Sequence, residues 1–503
     1  MLDNVASFKH FIPEMVLSVG VLAILVADLV ARGPDRLRAG AIALGTLAVA
    51  LVATIIGMSS AQTPLFGGLI VADPFASFFK LLFIVTSAVI CVTAQHAKDT
   101  IDYAEGEHHD KESGEFYALI LTSTVGMMLM AASTDLLMAY LSLETVSMLS
   151  YILAGFKRRD RRSSEAALKY VIYGGVASGV MLYGLSLLYG LAGSTNMAVV
   201  QAALAHAPAD SRIMVIAAVT LSLCGFGYKV AAVPFHMWCP DVYEGAPTTV
   251  TAFFSVAPKA AGFALLIRFF AGAVPADVVQ GPWPLLLGVV AAATMTLGNL
   301  AAIVQNNVKR MLAYSSIAHA GYLMLGLCAA TGASVRAMLV YLVTYVFMNL
   351  GAFLVVIAMS EAGVGETIDD YRGLGYRARI PALVLGICLF SLTGLPPFAG
   401  FFGKFYLFAS LLEKGGSLLL ALALVGILNS AVSLYYYARL LKAMYFEPAV
   451  GDSSPVEGAP VHLVTMGLMG AATALLFMAW TPLMRLIDWA YPNAQMIATA
   501  LIP

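Results

Sequence analysis

Apolar runs long enough to cross a lipid bilayer occupy most of this sequence. A helix needs about 20 apolar residues to span the hydrocarbon core, and such runs recur throughout the 503 residues. Hydrophobic residues make up 60% of the chain and charged residues only 11%, whereas about 25% is charged in a typical soluble domain. Because lipid leaves backbone groups no water to bind, runs of this length predict an all-α polytopic membrane protein.

The runs divide into fourteen predicted transmembrane helices. Their bounds are, in chain order, 11–31, 39–58, 72–94, 116–132, 134–156, 165–191, 213–233, 248–273, 284–303, 309–330, 335–360, 380–412, 417–446 and 461–488. The split between the fourth and fifth helices depends on a short turn at Ser133 and Thr134. We expect four parts: 1–115 (helices one to three and a charged loop), 116–273 (helices four to eight), 284–446 (helices nine to thirteen) and 461–503 (the last helix).

Basic residues between the helices cluster on alternate connections. The connections after odd-numbered helices hold most of them, including the five basic residues within 157–162. The connections after even-numbered helices hold only Arg212, Arg336 and Lys414. Cytoplasmic loops carry an excess of lysine and arginine, so the odd-numbered connections are predicted to be cytoplasmic. Both termini are then expected on the periplasmic side.

The segment 226–264 combines two lysines with an interrupted helical pattern. Lys229 and Lys259 stand among apolar residues. Between them the pattern is interrupted by Pro234, Pro240, Gly245 and Pro247. A lysine near the bilayer centre costs about 2.5–3.5 kcal/mol on insertion scales and usually faces a polar interior. Since interrupted backbone must be buried in protein or line a wet cavity, this segment predicts an ion path.

Three further ionisable residues lie deep within predicted helices. Glu144 and His319 are central in theirs, and Lys404 follows a second proline break, TGLPPF. A carboxylate inside a membrane needs a basic partner, and Lys229 and Lys169 are the candidates for Glu144. A lone histidine on an apolar helix is usually a hydrogen-bonded core group, but its near-neutral titration keeps a proton-relay role open.

Three other basic residues have simpler explanations. Lys169 follows Glu165 by four residues, so an ion pair on the helix surface is an equal alternative to a buried role. Lys80 and Arg268 each fall within about two turns of a predicted helix end. Their long side chains are therefore expected to snorkel to the membrane interface.

Equal spacing suggests an internal repeat. Lys229 follows Glu144 by 85 residues, and Lys404 follows His319 by 85 residues. In each half a central ionisable residue precedes a lysine on a broken helix. Five-helix units related by inverted topology, with broken helices seven and twelve, would fit a transporter pattern.

Signals for other kinds of site are weak. No glycine-rich nucleotide loop or nucleophile elbow occurs. The five cysteines are widely spaced and predict reduced thiols that pack in the interior. The loop 95–115 mixes His96, His108 and His109 with seven acidic residues, which favours a solvated connection over a metal site.

The run KVAAVPFHMWCPDVYEGAPTTVTAFFSVAPKAAGFA, residues 229–264, resembles the proton-channel module of the antiporter-like subunits of respiratory complex I. Mrp-type antiporters share that module, and the resemblance covers nearly the whole chain. The N branch is favoured by LSLET around Glu144, by Lys404 in GLPPFAGFFGKFYLF, and by the end of the chain soon after helix fourteen. The M branch would carry glutamate at the Lys404 position, and the L branch a long lateral helix.

The resemblance also implies roles for individual residues. Glu144 and Lys229 would form a charge pair, Lys259 the central relay and Lys404 the exit-side site. Lys169 matches a basic residue of the sixth helix, and His319 would connect Lys259 to Lys404. This chain would then be a proton-translocating subunit of a bacterial inner-membrane NADH:quinone oxidoreductase.

Cofactor and partner expectations follow from the same resemblance. This chain would hold no cofactor, because FMN, iron–sulfur clusters and quinone belong to partner subunits. Its neighbours would include subunit M, the small subunits K and J, and lipids, with no nucleic acid. A freestanding Mrp-type cation/proton antiporter is the alternative, although no acidic sodium cage is evident within the predicted helices.

The predicted topology can be tested with reporter fusions. A reporter joined after Arg161 is expected on the cytoplasmic side, and one joined after Ala207 on the external side, because these positions flank the sixth helix. Paired alkaline phosphatase and fluorescent-protein fusions measure the side directly. Identical readings at the two positions would contradict the predicted orientation.

Overall fold

The computed structural model describes residues 4–30, 38–97, 114–208, 211–275, 281–449, 454–456 and 460–491. Within these ranges the chain is almost entirely helical, which confirms the predicted class. The described residues contain a single small sheet, in which β1 (Thr63–Leu65) pairs antiparallel with β2 (Ile70–Ala72). This sheet lies in the connection between the second and third long helices.

Seventeen principal helices are labelled here in chain order. They are α1 (Ile12–Val30), α2 (Arg38–Ile56), α3 (Pro74–Ala94), α4 (Gly114–Ala132), α5 (Leu136–Ala154), α6 (Arg161–Ala192), α7 (Arg212–Val230), α8 (Trp238–Gly245), α9 (Thr248–Gly272), α10 (Trp283–Ile303), α11 (Val308–Ala329), α12 (Gly332–Glu361), α13 (Arg379–Thr393), α14 (Ala399–Lys414), α15 (Ser417–Phe446), α16 (Pro460–Leu475) and α17 (Trp480–Ala490). Shorter helical segments, including Met197–Ala205, lie in the connections.

The fourteen predicted runs correspond to these helices, but not every described helix is long enough to cross a membrane by itself. By length and composition, twelve of the described helices could each cross a membrane, and the pair α16 and α17, bent by 90°, would make a thirteenth. The twelfth predicted run forms two shorter helices, α13 and α14, with residues 394–398 between them. Each of the fourteen runs therefore has a helix or helix pair at its position, and the split at Ser133 and Thr134 is confirmed.

Two helices are broken where proline and glycine predicted it. After α7, Ala231 adopts a left-handed backbone conformation with φ 60°. After α13, Gly394 does the same with φ 91°, a region that glycine enters without steric cost. At the first break, Val233 N donates to Thr294 Oγ1 at 3.0 Å. The interrupted backbone is thus satisfied inside the protein, as a membrane requires.

The connections gather at two ends of the helix bundle. At one end, backbone bridges join Ile70 with Ser133 and Asp135 with Asn196, in connections that follow even-numbered predicted helices. At the other end, Asn307 bridges to Thr367, in connections that follow odd-numbered ones, and Gly373 N donates to Ala443 O near the end of α15. This sorting agrees with the predicted alternation of crossings.

The centre of the bundle is formed by α9, α11 and α12. Every residue of α9 from Thr248 to Ile267 is buried, and α11 is nearly as enclosed. A helix that is apolar on all sides needs such surroundings. By contrast, α2 and α15 expose many large apolar side chains, as lipid-facing helices do. The helices that carry Lys259 and His319 are therefore surrounded by protein.

The snorkelling prediction for Lys80 and Arg268 is wrong. Lys80 Nζ lies 2.6 Å from Glu14 Oε1, and the two side chains are 8% and 1% exposed. Arg268 Nη2 lies 2.6 Å from Asp73 Oδ1, and its Nε donates to Ala131 O at 2.9 Å. Neither carboxylate is near its cation in sequence, so the pairing becomes visible only in the folded chain.

Removing one member of the pair between Glu14 and Lys80 is expected to destabilise the protein strongly. Breaking a buried ion pair by removing one partner typically costs about 3–5 kcal/mol, because a charge stays buried without its counter-ion. Lys80→Ala should therefore lower the thermal stability of the purified, assembled protein. The double variant Glu14→Leu/Lys80→Met removes both charges and should recover most of the loss. Equal destabilisation in both variants would contradict this account.

Candidate functional site

Lys229 of α7 lies against the face of α5 that carries Glu144, without an ion pair between the two side chains. Lys229 Nζ donates to Ser147 Oγ at 3.1 Å, and Ser147 lies one turn after Glu144. Ser178 Oγ of α6 donates to Glu144 Oε1, and Glu144 is half-buried. Among these described residues, no ion pair within 4.0 Å joins Glu144 to Lys229 or Lys169. The expected direct contact between Glu144 and Lys229 is therefore absent in this conformation. Each of the two side chains is hydrogen-bonded to a serine instead.

Lys169 lies at the edge of the bundle rather than beside Glu144. Its Nζ is 2.7 Å from Glu165 Oε1 and 2.8 Å from Asp241 Oδ2, and its side chain is 38% exposed. The surface pair with Glu165 is thus present. Asp241, on α8, is a second partner to which the sequence patterns assigned no role.

Lys259 is buried on α9 among neutral acceptors. Its Nζ donates to Ser316 O at 2.7 Å and also to Ser316 Oγ. Ser316 Oγ lies 2.8 Å from Tyr345 OH. Among the described residues, no carboxylate comes within 4.0 Å of this amine. Lys259 is therefore linked to α11 and α12 by hydroxyl groups, which can each accept and donate a hydrogen bond.

Lys229 and Lys259 approach each other where α7 meets α9. A Cβ added at Gly262 would lie 3.3 Å from Lys229 Cγ. Gly262 follows Lys259 by three residues, so it occupies the same face of α9. The absence of a side chain at Gly262 lets the stem of Lys229 lie one turn from Lys259.

His319 continues the path along α11. It lies one turn after Ser316 and is 2% exposed. Its Nδ1 is 2.5 Å from Tyr341 OH, and its ring centre is 5.3 Å from that of Tyr345. Its Nε2 lies 3.5 Å from Tyr437 OH. Both ring nitrogens thus face hydroxyl groups rather than carboxylates.

The amine of Lys404 is hydrogen-bonded at the second helix break, after α13. Its Nζ donates to Leu392 O at 2.9 Å, to Thr393 O at 2.8 Å and to Ser430 Oγ at 2.9 Å. The two carbonyls belong to the last residues of α13, which have no partner within the helix. The negative end of a helix dipole also favours a cation there. The break at 394–398 therefore creates the acceptors that Lys404 needs.

Tyr322 connects Lys404 to His319. Lys404 Nζ lies 4.6 Å from the centre of the Tyr322 ring. The ring centres of Tyr322 and His319 are 5.7 Å apart. The structure thus brings five of the six sequence-predicted residues into one interior series: Glu144, Lys229, Lys259, His319 and Lys404. Lys169 lies outside this series at the bundle edge.

The tyrosines that connect the series were not identified from sequence. Tyr341 and Tyr345 are four residues apart on α12, which places both on the face towards His319. That spacing was the available signal, but tyrosines at helical spacing are more often core residues. Tyr437 on α15 offers no comparable pattern.

The structure supports no metal site in the residues it describes. No group of three or more His, Cys, Asp and Glu side chains among them could hold an ion. His108 and His109 lie outside the described residues, and the ring centre of His96 is 6.3 Å from that of His462. All five cysteines are free thiols, and four of them are buried as predicted, whereas Cys224 is half-buried.

Comparison with known proteins identifies the family. A model of the NADH:quinone oxidoreductase/Mrp antiporter transmembrane family matches residues 133–429. The chain is 46% identical to NADH-quinone oxidoreductase subunit N of Anaeromyxobacter sp. (strain Fw109-5), over 98% of each chain. It is 49% identical to subunit N 2 of Sorangium cellulosum (strain So ce56), over 96% of each. The chain belongs to the NADH-quinone oxidoreductase subunit N family. The resemblance found in the sequence, including its N branch, is therefore confirmed.

Solved structures agree with this placement. A chain of respiratory complex I from Thermus thermophilus with bound aureothin matches with a TM-score of 0.75 and 31% identity, over 94% of this chain and 99% of that one. A chain of the Mrp complex from Dietzia sp. DQ12-45-1b matches with a TM-score of 0.82 but only 19% identity, over 98% and 99%. The second likeness shows a common fold alone. The family region, 133–429, contains all six sequence-predicted residues of this subunit N family member.

Proposed function

We propose that this chain moves protons through its interior series of ionisable side chains, as a membrane subunit of an NADH:quinone oxidoreductase. Membership of the subunit N family and the likeness to a complex I chain make it a proton-translocating subunit of that enzyme. The relay itself is our inference from the contacts of Glu144, Lys229, Lys259, His319 and Lys404. The 46% identity over nearly the full chain favours this function over a freestanding antiporter.

The observation that carries the relay is the absence of carboxylates beside its lysines. Lys229, Lys259 and Lys404 are 3%, 2% and 4% exposed, and among the described residues each amine contacts only hydroxyl or carbonyl oxygens. An adjacent carboxylate would hold a lysine in its charged form, whereas neutral acceptors permit both the ammonium and the amine. Each lysine can then receive a proton and later release it.

Hydroxyl groups and one imidazole supply the steps between the lysines. A hydroxyl can accept a proton on its oxygen while it releases its own to the next acceptor. Ser316 and Tyr345 offer this next to Lys259, and the ring of Tyr345 lies beside that of His319. His319 has two ring nitrogens and can take a proton on one and release it from the other. Tyr322 and Ser430 then border Lys404.

Glu144 is the proposed switch at the start of the series. Two unit charges 4 Å apart interact by about 4 kcal/mol at an effective dielectric constant of 20, and by about half as much at twice the distance. A movement of the Glu144 carboxylate from about 4 Å to about 8 Å from the Lys229 ammonium would therefore change the free energy of that ammonium by about 2 kcal/mol. Moving one charge against 100 mV costs about 2.3 kcal/mol, so a small side-chain movement has the required magnitude.

The remaining inferences concern topology, cofactors and neighbours. We propose fourteen crossings with inverted five-helix repeats and both termini on the periplasmic side, which the sorting of connections in the fold supports. The chain works with other membrane subunits, and we propose that M, K and J are among them. We further propose that FMN, iron–sulfur clusters and quinone are bound by partner subunits, and that Lys169 acts on Glu144 from the bundle edge.

Glu144→Gln tests the switch. The substitution removes the charge but nearly keeps the volume, so the complex should assemble while proton pumping falls. Loss of about 2 kcal/mol of interaction corresponds to roughly 30-fold in rate. NADH-driven acidification of inverted membrane vesicles measures pumping, and NADH oxidation by an artificial electron acceptor measures assembly.

Two further variants control this experiment. Glu144→Asp keeps the charge on a shorter side chain and should retain part of the activity. Glu413→Gln makes the same chemical change at an exposed position near the end of α14 and should leave pumping unchanged. Normal pumping by an assembled Glu144→Gln complex would exclude Glu144 as the switch.

Lys404→Met tests the far end of the relay. Methionine keeps the apolar stem beside Tyr322 but removes the amine, so the complex should assemble and pump far more slowly. Lys414→Met, at the exposed end of the same helix, is the matched control and should pump normally. Full pumping in the Lys404 variant would show that Lys404 only satisfies the carbonyls of the helix break.

A further inference from the structure

An ion-pair cluster joins three helices at the end of the bundle that the basic loops predict to be cytoplasmic. Asp241 of α8 is its centre. Its Oδ2 lies 2.8 Å from Lys169 Nζ on α6, and its Oδ1 lies 2.7 Å from Arg310 Nη1 on α11. The same Arg310 nitrogen lies 2.8 Å from Glu244 Oε2. A cavity of about 220 Å³ opens beside these side chains, so water can reach them.

Asp241 differs from Glu165 and Glu244 because it pairs with two cations. Glu165 pairs with Lys169 four residues away on the same helix, and Glu244, among the residues that the structure describes, pairs only with Arg310. Asp241 pairs with both cations, one from each five-helix unit. It also lies on the second part of the broken helix whose first part, α7, ends beside Lys229.

The position of the Lys169 ammonium matters for Glu144. Ser178, which donates to Glu144, follows Lys169 by nine residues on α6, a rise of about 13.5 Å along the helix. Side chains of a helix also tilt towards its N-terminus, which for Lys169 is away from Glu144. The pairs with Asp241 and Glu165 therefore hold this charge at the edge of the bundle, distant from the proposed switch.

We propose that Asp241 is a positioning residue, which holds Lys169 at the predicted cytoplasmic end of α6 and so controls how strongly its charge acts on Glu144. This inference rests on the proposed function, in which Lys169 acts on Glu144. When Lys169 leaves Asp241, its charge acts more strongly on the Glu144 carboxylate and weakens the influence of that carboxylate on Lys229. A shift of α8 would thereby change the electrostatic environment of Glu144 through the Lys169 side chain.

Arg310 makes the release of Lys169 feasible. A partly buried carboxylate left without a cation would be strongly disfavoured. Because Asp241 Oδ1 stays paired with Arg310, Asp241 keeps one cationic partner after Lys169 has moved, and it shares that partner with Glu244.

A double-mutant cycle in the intact complex tests whether Asp241 acts through Lys169. Pumping per assembled complex is compared for Asp241→Asn, Lys169→Gln and the double variant. We expect Asp241→Asn to lower pumping several-fold, and the double variant to pump no more slowly than Lys169→Gln alone. Asp241→Glu, which keeps the charge, should recover part of the loss. Asp369→Asn is the control, because that carboxylate also pairs with an arginine but is 71% exposed.

The possible outcomes separate this inference from the relay. Multiplicative losses in the cycle, or normal pumping by Asp241→Asn or by Lys169→Gln, would overturn the positioning role. If Glu144→Gln still abolishes pumping in that case, the relay stands without Asp241. Normal pumping by Glu144→Gln would instead overturn the relay itself. Should Asp241→Asn fail to assemble, Asp241→Glu with and without Lys169→Gln provides the same cycle.

Discussion

The cost of burying an ammonium group explains much of this architecture. Lys229, Lys259 and Lys404 lie inside a protein that itself lies in lipid, and each therefore needs oxygen acceptors from the chain. A regular helix has no free carbonyls in its interior. The break after α13 supplies them for Lys404, and serine hydroxyls supply acceptors for the other two. For Lys404, the helix break and the buried lysine therefore depend on each other.

Two kinds of buried charge can be distinguished in the molecule. Two cations are fixed by carboxylates of the N-terminal region: Lys80 pairs with Glu14, and Arg268 pairs with Asp73, each at 2.6 Å. Such a pair joins helices that are distant in sequence. The relay lysines lack any such partner among the described residues. Pairing, rather than burial alone, separates these structural cations from the lysines of the proposed relay.

The same distinction marks the limit of what the sequence could predict. The apolar runs and the positions of proline and glycine predicted the helices and both breaks, because these are local properties of the chain. The ionisable members of the relay were also visible, since any charge within an apolar run is conspicuous. Their partners were not, because Asp241 and Tyr345 are distant in sequence from Lys169 and Lys259. For Lys80, the missing partner led to the wrong explanation.

The distribution of burial also indicates where a conformational change can occur. Lys259 and His319 lie on helices enclosed by protein, and close-packed interiors leave little room for side chains to move. Glu144 is only half-buried, Lys169 is 38% exposed, and Asp241 lies on a helix of eight residues beside a cavity. Movement is therefore least costly at this edge of the bundle. In the proposed relay, the centre passes protons between groups that stay in place, while the charges that direct those protons move at the periphery.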